Sequence, residues 1–230
     1  MKHIAAIFKK QSIDTRKNPV LLLQFLLYPL MVLLLNNLVP AEEIPENMFT
    51  EMFSAMFIGM APLITAASVV AEEKEKGTLR TLLMSGVSPF AYLGGIGLFI
   101  FTACLCGSVV IAAQGGYSPA DCVKFVLYMC IGCLISETIG AAIGIARPSQ
   151  TGATGTAVPV MMVFAFLPMI SMFNENIEKA AQFTYTYQIK SLISDLSCDT
   201  MNYTAIAVMG VSLALALGIF AFLYKRNGLE

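Results

Sequence analysis

Charge and histidine are both scarce in this 230-residue chain. Asp, Glu, Lys and Arg make up 13% of it, and His3 is its one histidine. A zinc site needs about four converging ligands, and one histidine at position 3 supports neither that nor a Ser/His/Asp set. H-E-x-x-H is absent, and so is G-x-x-x-x-G-K-[ST], so the chain holds no nucleotide through a P-loop. Its hydrophobic stretches also lack apolar/polar alternation, which excludes a membrane β-barrel.

What remains is apolar. Hydrophobic residues reach 57% and the mean hydropathy is +0.74, above the ~45–50% of soluble domains. Six long runs stand out: Val20–Leu35 (extendable through Asn36, Asn37 and Leu38), Met52–Ala71, Phe90–Ala113, Cys122–Ala146, Ala153–Phe173 and Tyr203–Tyr224. At ~1.5 Å per residue, runs of about 20 residues cross a ~30 Å hydrocarbon core. Backbone groups in lipid must be satisfied within the protein, so helices are the form that fits. The expected fold is an all-α membrane protein with six transmembrane helices.

Lysine and arginine set the expected orientation. With the N-terminus inside, the cytoplasmic pieces carry Lys2, Lys9, Lys10, Arg16, Lys17, Lys74, Lys76, Arg80, Arg147, Lys225 and Arg226, which is 11. The outer pieces carry Lys124, Lys179 and Lys190, which is 3. Residues 1–18 read as an amphipathic interfacial helix, with Ile4, Ile7 and Phe8 on one face and Lys9, Lys10, Arg16 and Lys17 turned to water and headgroups. Pro19 then restarts the chain as the first span, and residues 19–230 form the membrane domain. "LVPAEE" places Val39 and Ala41 where small residues precede a signal-peptide cleavage site, but cleavage is disfavoured, because nineteen residues precede the apolar run, more than a usual basic n-region.

The six cysteines read as small buried hydrophobes, a Cys122–Cys198 disulfide being the weaker alternative. Glycines in "GGIG" (94–97), "GAAIG" (140–144) and "TGATGTA" (151–157) read as close packing within the bundle; Gly140 and Gly144 form a G-x-x-x-G that would otherwise be a dimer seam. Polar residues within the spans are few, and two of them bear on function. Glu137 is about 15 Å along its helix from Arg147, near mid-membrane. A charge there costs at least ~2.5–3.5 kcal/mol unless paired, hydrated or protonated. Glu137 should therefore face a cavity or a partner, as a substrate-path residue or as a glutamate bonded to a serine or carbonyl. Gln24, in the first span, is a milder case.

Charges gather at one place, "EEKEKGTLR", residues 72–80. Glu72–Lys76 is an i,i+4 pair continuing the second span into water. Gly77 permits a break, and Thr78 is a candidate cap for a short helix with Leu79, Leu82 and Leu83 on one side. Ser88-Pro89 reads as the N-cap and first turn of the third span. A leucine stripe in such a loop fits a groove on a partner.

In "EEKEKGTLRTLLMSGVSPFAYLGG", with six spans and an interfacial N-terminal helix, the chain resembles the type-2 permease subunits of ATP-binding-cassette transporters. The resemblance implies that residues 72–89 are a coupling segment. Glu72, Glu73, Glu75, Lys76, Gly77, Thr78, Leu79, Arg80, Leu82 and Leu83 would meet a separate ATPase subunit there. It implies a second permease chain, identical or paralogous, with ATP and Mg held by the ATPases and none by this chain. Substrate would pass along the permease interface, lined by spans one, two and five, with Gln24 and Glu137 as candidate path residues. Without charged rings along the spans, the expected cargo is amphipathic or apolar, such as a peptide, lipid or drug, moved outward. The outer loop 174–202 corresponds to the family's re-entrant helices but lacks their commoner prolines. A secondary carrier or channel would instead show inverted repeats and several intramembrane charges, and a non-transporting scaffold is the third reading. The basic-residue count predicts that reporters fused after Glu230 and at Glu43 read opposite sides of the membrane, the first cytoplasmic; a C-terminus outside would overturn the topology.

Overall fold

The computed structural model describes residues 2–39, 47–77, 84, 86, 88–196 and 202–227. Nine α-helices lie among them: α1 Lys2–Lys17, α2 Pro19–Leu38, α3 Met48–Glu75, α4 Pro89–Gln114, α5 Pro119–Ala146, α6 Gln150–Ile170, α7 Glu175–Ala181, α8 Tyr185–Ser194 and α9 Tyr203–Asn227. Six are long and apolar enough to span a membrane: α2, α3, α4, α5, α6 and α9. The expected all-α, six-span architecture is what the structure has.

Their starts follow from local chemistry. Asn18, Ser88 and Ser118 each cap a helix whose next residue is proline. The cap oxygen takes the orphan N–H groups, and proline needs none at the first position. Ser88-Pro89 therefore acts as expected, with Ser88 Oγ accepting from Ala91 N at 3.2 Å. α5 stops at Ala146 because Arg147 precedes Pro148, which disfavours helical backbone at the residue before it.

α3 is the axis of the bundle. It packs most extensively on α5 and α6, and also on α2, α4 and α8. Its most apolar window is 89% buried, whereas that of α9 is 11% buried and forms the periphery. Close approach between α3 and α5 requires Gly140, where a Cβ would press on the Leu63 carbonyl and lie 2.9 Å from Ala66 Cβ. Gly144 lies against Ala67 and Val70 in the same way. The G-x-x-x-G thus serves packing within the chain.

One end of the bundle collects the C-terminus of α3, the start of α6 and the ends of α5 and α9; Lys10 and Arg147 also lie there, and it is called the basic end below. α1 lies against α4 and α2, and Gly95 leaves room for Ile7. The buried face of α1 is Ile7, Gln11 and Thr15. Lys10 departs from the expected water-facing position: it ion-pairs with Glu73 of α3. Three residues after Ile7, it shares that residue's side of the helix.

At the other end, α8 enters the bundle. Tyr185, at its start, meets Ser136 midway along α5, while Leu196 just beyond α8 accepts from Lys124 near the start of α5, at 3.4 Å. α8 therefore climbs along α5 from mid-bundle outward over about 16 Å, a re-entrant path.

Pro62 explains the anchor. It lies inside α3 and has no N–H to give to the carbonyl four residues earlier, that of Ile58. Ser136 Oγ donates to that carbonyl at 2.6 Å, and Tyr185, 2.7 Å away, then donates its hydroxyl to Ser136. Ser136→Ala would orphan both Ile58 O and the Tyr185 hydroxyl, at a cost of about 1–3 kcal/mol. Tyr185→Phe leaves the Ser136–Ile58 bond in place and should cost less. Thermal unfolding in detergent checks the order; equal stability of Ser136→Ala and wild type would contradict it.

Candidate functional site

Two places bear on function: the charged end of α3 and the carboxyl of Glu137. α3 runs as helix through Glu75, with Lys76 as its cap and Gly77 at φ +65°. The break expected at Gly77 is there, in a left-handed conformation that suits glycine.

Five consecutive charged residues before the break, Glu72 to Lys76, each find a partner. Lys76 ion-pairs with Glu72, the expected i,i+4 contact, and the hydrogen bond to Glu72 pushes its ammonium pKa up. Glu73 is buried and takes Lys10, with Gln11 Nε2 at 3.5 Å. Lys74 donates to Ile145 O, 2.8 Å away in the last turn of α5, where a cation is favoured. Glu75 accepts from the backbone N–H of Gln150, the first residue of α6, at 2.7 Å. A carboxylate there complements the helix N-terminus. The Gln150 side chain reaches Ser68 at 2.8 Å and Glu72 at 3.4 Å. The end of α3 is thus tied to α1, α5 and α6 at once.

Thr78, Leu79, Arg80, Leu82 and Leu83 lie outside the described residues, as does Cys198 with the alternative Cys122–Cys198 pair. Met84, just beyond the leucines, is 83% exposed.

Glu137 lines a cavity of about 130 Å³ bounded by α3, α4, α5 and α9, with Val70, Leu93, Ile100, Leu217 and Phe220 in its walls. Gly97 of α4 faces the carboxyl; a Cβ there would collide with Glu137 Oε1. Oε2 is buried and has no hydrogen-bond partner among the described residues. The bond to a serine allowed for above is not made, because the adjacent Ser136 points elsewhere, to Ile58 and Tyr185. Gln24 is separate: its Oε1 accepts from Thr65 at 3.2 Å, between α2 and α3. It does not line the Glu137 cavity, so the structure does not bring the two residues together.

Outside the spans, Lys190 of α8 is half-buried; burial lowers its pKa, opposed by the attraction of Glu51 at the start of α3.

Residues 10–224 match the family described as ABC-2 family transporter protein. The chain belongs to that family. A search of curated proteins found no match. This ABC-2 chain is therefore a multi-pass membrane protein and the transmembrane subunit of an ATP-binding-cassette transporter.

Sequence reasoning missed Lys10, Gln150 and the Ser136–Tyr185 pair. For the last, a signal exists: a proline within a span orphans the carbonyl four residues earlier and calls for a donor. For Lys10 and Gln150 no local pattern points to partners 63 and 75 residues away.

The Glu73–Lys10 pair carries a prediction for this ABC-2 subunit. Lys10→Ala leaves a buried carboxylate without its cation, and should destabilise by about 1–3 kcal/mol. Adding Glu73→Gln removes the uncompensated charge and should recover part of that loss. A double-mutant cycle in detergent-solubilised protein measures the coupling; strictly additive effects would mean the pair does not hold α1.

Proposed function

We propose that this chain is one half of an ABC exporter's membrane domain, driven at the segment after Glu75 by separate ATPase subunits that hold ATP and Mg. The observation that carries the reading is the family match joined to the geometry at Gly77. A charged helix end, already fastened to three other helices, stops at a glycine turn directly before Thr78–Leu83. A push on that segment reaches α1, α5 and α6 through short polar contacts.

The basic end of the bundle faces the cytoplasm, as the count of lysines and arginines favours. Leu79, Leu82 and Leu83 seat in a groove on the ATPase, while Glu72, Glu73, Glu75, Lys76, Gly77, Thr78 and Arg80 set the angle of approach. Two permease chains, identical or paralogous, enclose the path, with α2, α3 and α6 toward it. ATP closes the ATPase pair, and the bundle passes between two global states that bind the nucleotide-bound ATPase unequally. The cargo is amphipathic or apolar, a peptide, lipid or drug; Gln24, between α2 and α3, is its polar contact on that path, whereas the cavity of Glu137, walled by α3, α4, α5 and α9, lies to the side of it.

Buried apolar anchors dominate such interfaces, each worth on the order of 1–3 kcal/mol. Leu82→Asp should therefore lower ATPase pull-down from solubilised membranes by tenfold or more and uncouple hydrolysis from transport in liposomes, while Leu82→Met retains both. Full binding and coupled transport by Leu82→Asp would reduce this loop to a solvated connector.

A further inference from the structure

α9 has a second cavity on its other flank, unlike the one at Glu137. It measures about 280 Å³, lies between α5, α6 and α9, and is walled by Ile143, Val160, Ile219 and Leu223 with Thr156 beside them. The Thr156 hydroxyl is already spent on Gly152 O, at 3.0 Å, so the wall offers little to a polar ligand. Arg147 stands at its end. It is exposed, caps the C-terminus of α5 and makes no ion pair among the described residues. Glu72 and Glu75, at the same end of the bundle, are engaged by Lys76 and Gln150. α9 adds Lys225 and Arg226 just past Leu223.

We propose that this groove seats an acyl chain of an anionic glycerophospholipid, from the leaflet at the basic end, with the lipid phosphate on Arg147. A guanidinium presents a planar fork of donors that matches phosphate oxygens. The apolar wall alone selects nothing, because lipid tails are as apolar as leucine and an acyl chain gains little by leaving the bilayer for the groove. Discrimination therefore falls on the headgroup and on Arg147. The site opens toward lipid at α9, the least buried of the six spans, where Leu215, Ile219 and Phe222 are all more than half exposed. The proposal does not depend on the cargo or on the ATPase; only naming the leaflet cytoplasmic rests on the orientation proposed above.

The test is native mass spectrometry of the full chain released from detergent, with phosphatidylglycerol or phosphatidylcholine of matched acyl chains added. Wild type should retain phosphatidylglycerol over phosphatidylcholine by about fivefold, the effect of one basic residue at a lipid surface. Arg147→Gln should lose that preference and Arg147→Lys keep most of it. Val160→Phe and Ile219→Trp, which fill the groove from opposite walls, should lower retention of phosphatidylglycerol severalfold, with size exclusion confirming each variant folded. Excess inorganic phosphate should leave the lipid bound. An unchanged preference in Arg147→Gln, full retention in both filled variants, or displacement by inorganic phosphate would each overturn the proposal.

Discussion

α3 lies along the centre of the bundle, so its polar atoms must be satisfied by other helices rather than by water. An unsatisfied backbone group in such surroundings costs several kcal/mol. The arrangement of the other elements follows from this one constraint. Ser136 of α5 serves the carbonyl that Pro62 leaves open at Ile58. Thr65 pairs with Gln24 of α2, and Ser68 with Gln150 of α6. Where the helix emerges, Glu73 and Glu75 take Lys10 and the first N–H of α6. Apolar packing alone would not fix these registers, because helices in lipid slide and rotate at little cost without specific contacts.

The periphery shows the opposite case. α9 carries few buried residues, among them Ala205, Met209 and Ala216, and cavities lie on both of its flanks. Both cavities share walls from α5 and α9 but differ in chemistry. One encloses a carboxyl with an oxygen that lacks a partner among the described residues; the other ends in an exposed guanidinium. Both cavities border α9, whereas α3 borders only the first of the two, at Ala66 and Val70.

Much of this fold was legible in the sequence because its signals are local. Continuous apolar runs of membrane length give the spans, and Pro19 and Ser88-Pro89 mark two of their starts; Ser118-Pro119 carries the same signal three residues ahead of its run. Gly77 marks a turn because few other residues tolerate its φ. The site was legible only in part. Glu72–Lys76 follows from helical spacing, yet Lys10 was read as facing water because its partner lies 63 residues away and no pattern within α1 points to it. The isolation of Glu137 was likewise beyond reach. Ser136 was the obvious neighbour, but consecutive residues on a helix point about 100° apart, and Ser136 faces α3 while Glu137 faces α4.

Pro62 divides α3 into two parts that answer to different partners. Ser136 restores the polar balance at Ile58, but a side-chain donor from another helix does not restore the axial bond that stiffens a helix, and proline sites are where helices bend. At that point Ser136 of α5 links α3 to Tyr185 of α8, and nearer Met48 Asn36 of α2 donates to Thr50, at 3.2 Å. Toward Glu75 α3 is held by α1, α5 and α6 through charged groups. A displacement entering at Gly77, as proposed above, would be shared first among α1, α5 and α6. Along α3 it must pass the joint at Pro62, while α5 carries it to α8 more directly, because Ser136 bonds both Ile58 O and the Tyr185 hydroxyl.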